Sequence, residues 1–225
     1  MNALLNTQYP VAVLGAANKI REINTVASEH AQRFAVKALL VASMLSLTIS
    51  TAQAIEFKGV LGFGLDLGGD TLVSGSYTDG STYTVKANRG VVLNGGVVMV
   101  TGAFETQTTV GYKFGGPQAK NGSITWDVVP IELMEFYRTN NLRMGLGLVY
   151  QKSPKLVIDV SGSLSNGTYN FDNALGTVVQ IGWAPKKYPF SIDLRYTAIK
   201  YKQSNVANPK DISGNSPGLY MSFFF

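Results

Sequence analysis

The sequence predicts an all-β protein, an eight-stranded antiparallel up-and-down transmembrane β-barrel. Three observations support this fold class. Apolar residues alternate with small or polar ones, and a period of two is typical of a strand with two different faces. Tight turns and long polar loops alternate between the segments, as in barrels whose two ends face different compartments. Eight segments show the pattern, at 57–70, 90–101, 104–114, 124–138, 142–151, 175–186, 190–203 and 217–225.

A targeting segment precedes the predicted strands. Arg33 and Lys37 form a basic region, and residues 38–49 are apolar but shorter than the roughly 20 residues of a membrane-spanning helix. Residues 52–54 read Ala-Gln-Ala, so the segment predicts a secretory signal peptide cleaved after Ala54; the alternative is a short buried helix. We therefore expect an N-terminal extension and signal peptide over residues 1–54 and a barrel domain over residues 55–225.

The first, fifth and seventh predicted strands show the alternation most clearly. In the first, Phe57, Leu61 and Phe63 share a face, and Lys58 and Asp66 lie on the other. The fifth and seventh repeat the arrangement, with leucine, methionine and aromatic residues opposite glycine, arginine and aspartate. One face of each strand is therefore continuously apolar. The other face is small and rich in glycine, which suits a narrow barrel interior.

The apolar face could instead point inward, as in a β-sandwich or a lipocalin-like cup. Aromatic residues at the strand ends favour the membrane barrel, because such barrels carry an aromatic girdle at each interface. The topology predicts a periplasmic girdle of Phe57, Phe104, Phe136, Tyr137, Trp183, Tyr188, Phe190 and Phe225. It predicts an outer girdle of Tyr112, Phe114, Trp126, Tyr150, Phe171 and Tyr201.

Composition argues against several function classes. The chain has no cysteine, and its one histidine, His30, lies in the segment predicted to be removed. A histidine base and a thiolate or histidine metal site are therefore not expected in the barrel domain, so the serine of the one Gly-x-Ser-x-Gly match, at 214–218, would lack its usual base. The net charge of +5 comes without a dense Lys/Arg run, so nucleic-acid binding is not expected. We predict a non-enzymatic protein without a cofactor.

The whole of residues 55–225 resembles the small outer-membrane β-barrels of Gram-negative bacteria, the OmpA/OmpX/OmpW-like superfamily. The resemblance rests on a signal peptide, eight amphipathic strands, long outer loops and the terminal GLYMSFFF. It implies an outer-membrane location and a monomer. It also implies that the barrel assembly machinery reads the last strand as a signal, formed here by Leu219, Met221, Phe223 and Phe225. The long N-terminal extension departs from the pattern.

Ionisable residues collect on the predicted inward faces. They are Lys58, Asp66, Glu105, Lys113, Asp127, Glu132, Arg143, Asp193 and Arg195. Charges in a narrow lumen are costly unless paired, so we expect an ion-pair network. Its role could be to fill the lumen, to gate a small pore or binding site, or to supply a catalytic carboxylate pair. On a regular strand Asp127 and Glu132 would point to opposite faces. Both face inward only if a bulge or kink lies near Pro130.

The predicted outer loops carry more lysine and arginine than acidic residues. Lys200, Tyr201 and Lys202 are candidates to contact lipopolysaccharide phosphates, although ordinary solvated charge is the alternative. The segment DVSGSLSNGTYNFDN at 159–173 is too irregular for a calcium loop and is predicted to be a flexible recognition loop. The leading hypothesis is a role in envelope integrity or surface interaction; the alternative is a small channel or carrier for small or hydrophobic solutes.

Overall fold

A computed structural model describes residues 54–76, 81–119, 122–161 and 165–225. Residues 1–53, which hold the predicted leader and all of the predicted cleavage motif except Ala54, lie outside the described residues. No helix of the described part is long and apolar enough to cross a membrane. The described strands are β1 (Ile55–Asp66), β2 (Thr71–Ser76), β3 (Thr82–Lys86), β4 (Gly90–Thr101), β5 (Phe104–Gly115), β6 (Gln118–Ala119), β7 (Gly122–Thr139), β8 (Leu142–Val160), β9 (Gly167–Asn170), β10 (Ala174–Trp183), β11 (Phe190–Ala198), β12 (Lys200–Tyr201), β13 (Ile212–Ser213) and β14 (Ser216–Phe224).

Eight of these strands form a closed ring. The order is β7-β5-β4-β1-β14-β11-β10-β8, and β8 pairs back onto β7. All the pairings around the ring are antiparallel, and the last strand meets the first from Val60 opposite Phe224 to Asp66 opposite Gly218. The predicted eight-stranded antiparallel barrel is confirmed, and closure leaves the ring without an open sheet edge.

The apolar faces of the strands point outward. On β1, Leu61 is 57% exposed and the neighbouring Val60 is 1% exposed. The same alternation runs along β10, where Leu175, Val179 and Ile181 are exposed beside buried Val178. This arrangement decides against a cup or sandwich with its apolar face inside. The barrel is covered by apolar side chains and filled by the opposite faces of the strands.

Glycines on the inner wall make room for large side chains. The Tyr220 ring lies across Gly64, so that a Cβ atom there would stand 2.5 Å from a ring carbon. The Phe136 ring lies across Gly145 in the same way, and a Cβ would collide with it. These glycines and rings are direct cross-strand partners. The alternation of glycine with apolar residues therefore lets a narrow barrel hold aromatic rings.

The two ends of the barrel differ in length. At the lower end, tight turns join β4 to β5, β7 to β8 and β10 to β11. At the upper end, the β7–β8 ladder continues to Gly122 opposite Val160, and two short hairpins, β2–β3 and β12–β13, stand beside it. Much of what the sequence predicts as polar loop is therefore strand. The segment at 159–173 includes β9 and buried Phe171, so those parts of it are not the predicted flexible loop.

An apolar cluster closes the upper interior. Trp126 packs edge-on against Phe171 and Tyr201, with ring centroids 5.2 Å away in both cases. All three rings are buried, so the prediction that they belong to the outer girdle is wrong. Phe136, predicted for the lower girdle, also lies inside. The reason is their position on the strand. Inward and outward side chains alternate along β7 without interruption, and both Trp126 and Phe136 fall on the inward face.

Candidate functional site

The candidate site is the barrel interior, where polar side chains from several strands meet in three layers. We name them by height, with the upper end at the long connections and the lower end at the tight turns. Strand alternation aims each side chain inward, and ring closure brings together residues that are distant in sequence. The upper layer comprises Asp66, Asn88, Lys113, Gln151 and Tyr220; the middle layer Glu132 and Arg195; the lower layer Glu105, Gln107, Arg138, Arg143, Ser191 and Asp193.

The upper layer is centred on a buried ion pair. Lys113 Nζ lies 2.5 Å from Asp66 Oδ2, and both side chains are almost fully buried. Tyr220 donates its hydroxyl hydrogen to the same Asp66 oxygen at 2.6 Å. Lys113 also donates to Asn88 Oδ1 at 2.6 Å, and Gln151 donates to that oxygen at 2.9 Å. The ammonium therefore has both an ionic and a neutral acceptor.

Asn88 and Gln151 were missed by the sequence reasoning. Asn88 has a left-handed backbone with φ of 63°, a conformation that asparagine tolerates better than most residues. Its side-chain amide also donates to the carbonyl of Gly214 at 2.9 Å, so it ties the start of β4 to the β13–β14 connection. Gln151 lies on the same face of β8 as Arg143, and that alternation could have identified Gln151 as an inward residue. Asn88 lies between strands, where parity gives no signal.

The middle layer is one cross-lumen pair. Arg195 on β11 donates to both carboxylate oxygens of Glu132 on β7, at 3.0 and 2.5 Å. The guanidinium carbon lies 4.4 Å from the centroid of the Tyr220 ring. Because β10 and β8 stand between β11 and β7 in the ring, this bidentate pair spans the lumen. Such a fork is the strongest geometry available to an arginine and a carboxylate.

The lower layer surrounds Arg143. Its Nε donates to Glu105 at 2.8 Å and a terminal nitrogen donates to Gln107 at 2.7 Å. The other terminal nitrogen lies 3.9 Å from Asp193. Arg138 approaches the second oxygen of Glu105 at 2.9 Å. Two arginines therefore share one carboxylate at this level.

The Arg143 guanidinium is also covered by rings. Its central carbon lies 3.3 Å from the Phe136 ring centroid and 5.2 Å from that of Phe224. Cation–π contacts gain strength where water is removed, and Arg143 has no exposed surface. The lower interior is thus filled by an arginine held between carboxylates and aromatic faces.

Two inward carboxylates lie against glycines. Asp66 Oδ1 and Asp193 Oδ1 are buried and have no hydrogen-bond partner among the described residues. Each lies where a Cβ atom on its cross-strand partner, Gly218 or Gly182, would collide with it. The missing side chains therefore give the carboxylates their space. The other oxygen of Asp193 is held by Ser191 at 2.7 Å.

Seven of the nine predicted inward ionisable residues lie in these layers, and two do not. Lys58 is partly exposed at the lower rim, where it pairs with Glu56 at 3.2 Å. Asp127 lies on the outer surface of the upper barrel, 4.0 Å from Lys155. Placing Asp127 in the lumen was therefore wrong, whereas Lys58 shares the inward face of Val60 and borders the lower mouth without reaching the three layers. For Asp127, the cause is that the alternation of β7 continues through Pro130.

A bulge does lie near Pro130, but on the neighbouring strand. The β7–β8 register shifts between Asp127 and Val129, where β8 contains one additional residue. Ser153, within this part of β8, has a left-handed backbone with φ of 52°. A bulge in β8 bends that strand and leaves the parity of β7 unchanged. Asp127 and Glu132 consequently remain on opposite faces.

The three residues predicted to contact lipopolysaccharide are divided by the barrel wall. Tyr201 is fully buried and donates a hydrogen bond to Gln151 inside the barrel, so its predicted lipid contact is wrong. Lys200 and Lys202 face away from the interior and lie 3.7 and 3.8 Å from Asp211. The alternation within β12 separates the tyrosine from the two lysines.

The terminal strand has the orientation that the sequence predicts. Leu219, Phe223 and Phe225 are exposed on the outer wall, with Met221 half-buried on the same face. Tyr220, Ser222 and Phe224 point inward. The backbone of Phe225 exchanges two hydrogen bonds with Gly59, at 2.7 and 3.0 Å. The end of the chain is thus part of the barrel wall.

Within the described part of the chain, no group of three acidic, histidine or cysteine side chains is placed to hold a metal ion. No protein-family model matches the sequence, and no curated protein matches it.

The solved structures that match this chain include two small surface proteins. Neisserial surface protein A matches with a TM-score of 0.44 at 11% identity, over 77% of this chain and 100% of its own. Ail, the attachment invasion locus protein of Yersinia pestis, matches with a TM-score of 0.43 at 13% identity, over 75% of this chain and 97% of its own; that structure is a complex with the heparin analogue sucrose octasulfate. The barrel fold of this chain follows from its own strand pairings.

Proposed function

We propose that this protein is a non-enzymatic outer-membrane β-barrel, closed to solutes, that supports envelope integrity or surface interaction through its outer segments. One observation carries the proposal: an uninterrupted ring of strands is apolar on its outside and filled with buried ion pairs on its inside. A barrel exposed to water would have these two surfaces reversed.

The depth of the aromatic residues supports a membrane location. Most exposed rings form a lower band and an upper band, with aliphatic side chains such as Val179 and Leu194 and the exposed ring of Phe63 between them. The lower band comprises Phe57, Tyr137, Trp183, Tyr188, Phe223 and Phe225, and the upper band Tyr112, Phe114, Tyr150 and Tyr196. Amphipathic rings favour the two interfaces of a bilayer. The lower band would face the periplasm.

The filled lumen supports a barrel that does not conduct. Glu132 and Arg195 span the middle, and Arg143 fills the lower part between Glu105 and the Phe136 ring. An ion would have to separate these pairs, which lie in a desolvated setting where separation is costly. A small channel would need a continuous water path past all three layers.

The same pairing supports a non-enzymatic role. Glu105, Glu132 and Asp66 each lie within 3 Å of an arginine or lysine nitrogen, so each carboxylate is already held in an ion pair. Residues 55–225 contain no histidine to act as a base. The carboxylates of the interior therefore serve packing and charge balance.

The outer segments and the last strand are the proposed contact surfaces. Lys200 and Lys202, which lie near Asp211, would exchange that contact for lipopolysaccharide phosphates. The outward face of the terminal strand, with Leu219, Met221, Phe223 and Phe225, would be read by the barrel assembly machinery during insertion. The protein would act as a monomer, since its ring is complete within one chain.

The test is conductance in planar bilayers, after cell fractionation and a gel-mobility shift on boiling have shown an inserted barrel. We expect outer-membrane fractionation, heat-modifiable mobility and no steady conductance. A steady conductance that changes in Glu132→Gln or Arg143→Ala would overturn the closed barrel and establish the small channel. A mature chain that remains soluble without detergent would refute the membrane location.

A further inference from the structure

Two unpaired lysines project from the lower end of the barrel. Lys186 and Lys187 occupy the middle of the turn between β10 and β11 and are exposed. Neither takes part in an ion pair among the described residues. The Lys187 ammonium lies 5.6 Å from the centroid of the exposed Tyr188 ring. Two like charges side by side in sequence repel each other unless an anion lies between them.

The turn that carries the lysines is fixed to the barrel. Tyr188 donates its backbone N–H to the carbonyl of Pro185 at 3.2 Å, which closes the turn. Arg138 on β7 donates to the carbonyls of Ala184 and Pro185 at 3.0 and 3.4 Å. Arg138 is in turn anchored on Glu105 at 2.9 Å. The backbone positions of the lysines are therefore defined before any ligand arrives.

Beside this turn lies a cavity of about 320 Å³ at the lower mouth of the barrel. Its walls combine apolar and charged groups, contributed by the ends of β1, β4, β5, β7 and β14 and by the turn. Its two acidic side chains already have partners: Glu56 pairs with Lys58 at 3.2 Å, and Glu105 pairs with Arg138. Among the cations that line this cavity, Lys186 and Lys187 are therefore the ones available to bind an anion.

Large rings stand next to the same cavity. Phe57 and Phe225 are 72% and 75% exposed on the outer wall, and Tyr188 is half exposed. All three also border the cavity. Cationic and apolar groups thus adjoin at the level of the lower aromatic band. An anion that carries hydrocarbon chains would satisfy both.

We propose that this mouth binds the headgroup phosphate of an anionic phospholipid in the periplasmic leaflet, with Lys186 and Lys187 as its contacts. The acyl chains would run along the outer wall beside Phe57, Phe225 and Tyr188. The proposal rests on the membrane location proposed above. It differs from an acidic protein partner in requiring the apolar wall as well as the charge.

The test is native mass spectrometry of the full barrel in neutral detergent, titrated with phosphatidylglycerol or with phosphatidylcholine of the same acyl chains. We expect one phosphatidylglycerol to be retained in preference to phosphatidylcholine. Each basic residue near an anionic lipid surface adds to the free energy of lipid binding. Removal of either lysine should therefore weaken the retention of phosphatidylglycerol roughly fivefold. Lys186→Gln/Lys187→Gln should therefore lose most of the preference.

The matched control is Lys152→Gln/Lys210→Gln, which removes the same charge from two exposed lysines at the upper end. It should retain phosphatidylglycerol as the parent does. Equal loss in both double variants, equal retention of the two lipids by the parent, or equally tight binding of soluble glycerol 3-phosphate would overturn the proposed lipid site. Failure of the parent chain to show heat-modifiable mobility would instead refute the membrane location.

Discussion

The cross-lumen pair between Arg195 and Glu132 gives the sharpest prediction about the interior. Both side chains are at most 5% exposed, and the guanidinium donates to both carboxylate oxygens at 3.0 and 2.5 Å. Arg195→Ala removes one partner and leaves Glu132 as an uncompensated charge in a desolvated lumen. Removal of one member of a buried pair costs about 3–5 kcal/mol. We expect a loss of that size in the free energy of unfolding.

The double variant Glu132→Leu/Arg195→Met separates the value of the pair from the cost of the orphaned charge. Apolar residues of similar volume often replace a buried pair with little net change, so we expect the double variant to recover most of the loss. A surface pair serves as the control. Lys58→Ala breaks its contact with Glu56, where the side chains are 34% and 61% exposed, and should cost under about 1 kcal/mol.

The assay is guanidinium unfolding in phosphatidylcholine vesicles, followed by tryptophan fluorescence. The two tryptophans report on different places, because Trp126 is buried in the upper interior and Trp183 is half exposed on the lower wall. If Arg195→Ala costs no more than Lys58→Ala, then water reaches Glu132 and the closed lumen is wrong. The measurement therefore tests the dryness of the interior independently of conductance.

Three further changes test the wall, the inner glycines and the upper core in the same assay. Leu61→Arg places a charge on the apolar wall and should cost about 2–4 kcal/mol, whereas Thr125→Arg, on the upper β7–β8 ladder, should cost little; equal costs would contradict the membrane-facing wall. Gly182→Ala should cost about 1–3 kcal/mol by overpacking, because its Cβ would collide with Asp193, and a neutral effect would show that this carboxylate is mobile. Trp126→Ala should cost about 3–5 kcal/mol, and a loss under about 1 kcal/mol would mean that the upper cluster is not a packed core.

Much of the fold could be predicted because strand alternation is a local property. Each of the eight ring strands overlaps one predicted segment, and β4, β5, β8 and β11 begin at the predicted residue. The upper end was predicted less well. Its polar composition indicated loops, yet Lys155 and Asp159 lie on the outer face of a long strand whose inward face holds Leu156 and Ile158. The composition of a segment does not distinguish its two faces, so the polar outward residues concealed the apolar inward ones.

The sequence predicted which side chains point into the interior but not which of them contact each other. Parity placed Glu132, Arg143 and Arg195 inside, and the structure places all three there. Parity failed for Asp127, because the bulge that could have turned it inward lies in β8. Strand alternation could not identify Asn88, because this residue lies in the connection between β3 and β4. From there it accepts hydrogen bonds from Lys113 and Gln151.

Local sequence is enough to show which residues share a face, since neighbouring side chains on a strand point to opposite sides whatever the strand pairs with. The apolar wall, the glycine-rich inner surface and the orientation of the terminal strand follow from it. The contacts inside the barrel needed the folded chain: that Glu132 meets Arg195, that Glu105 pairs with both Arg138 and Arg143, and that Asp193 has one oxygen without a hydrogen-bond partner among the described residues. Those contacts depend on the stagger of eight strands around a closed ring, and stagger is a property of the whole barrel.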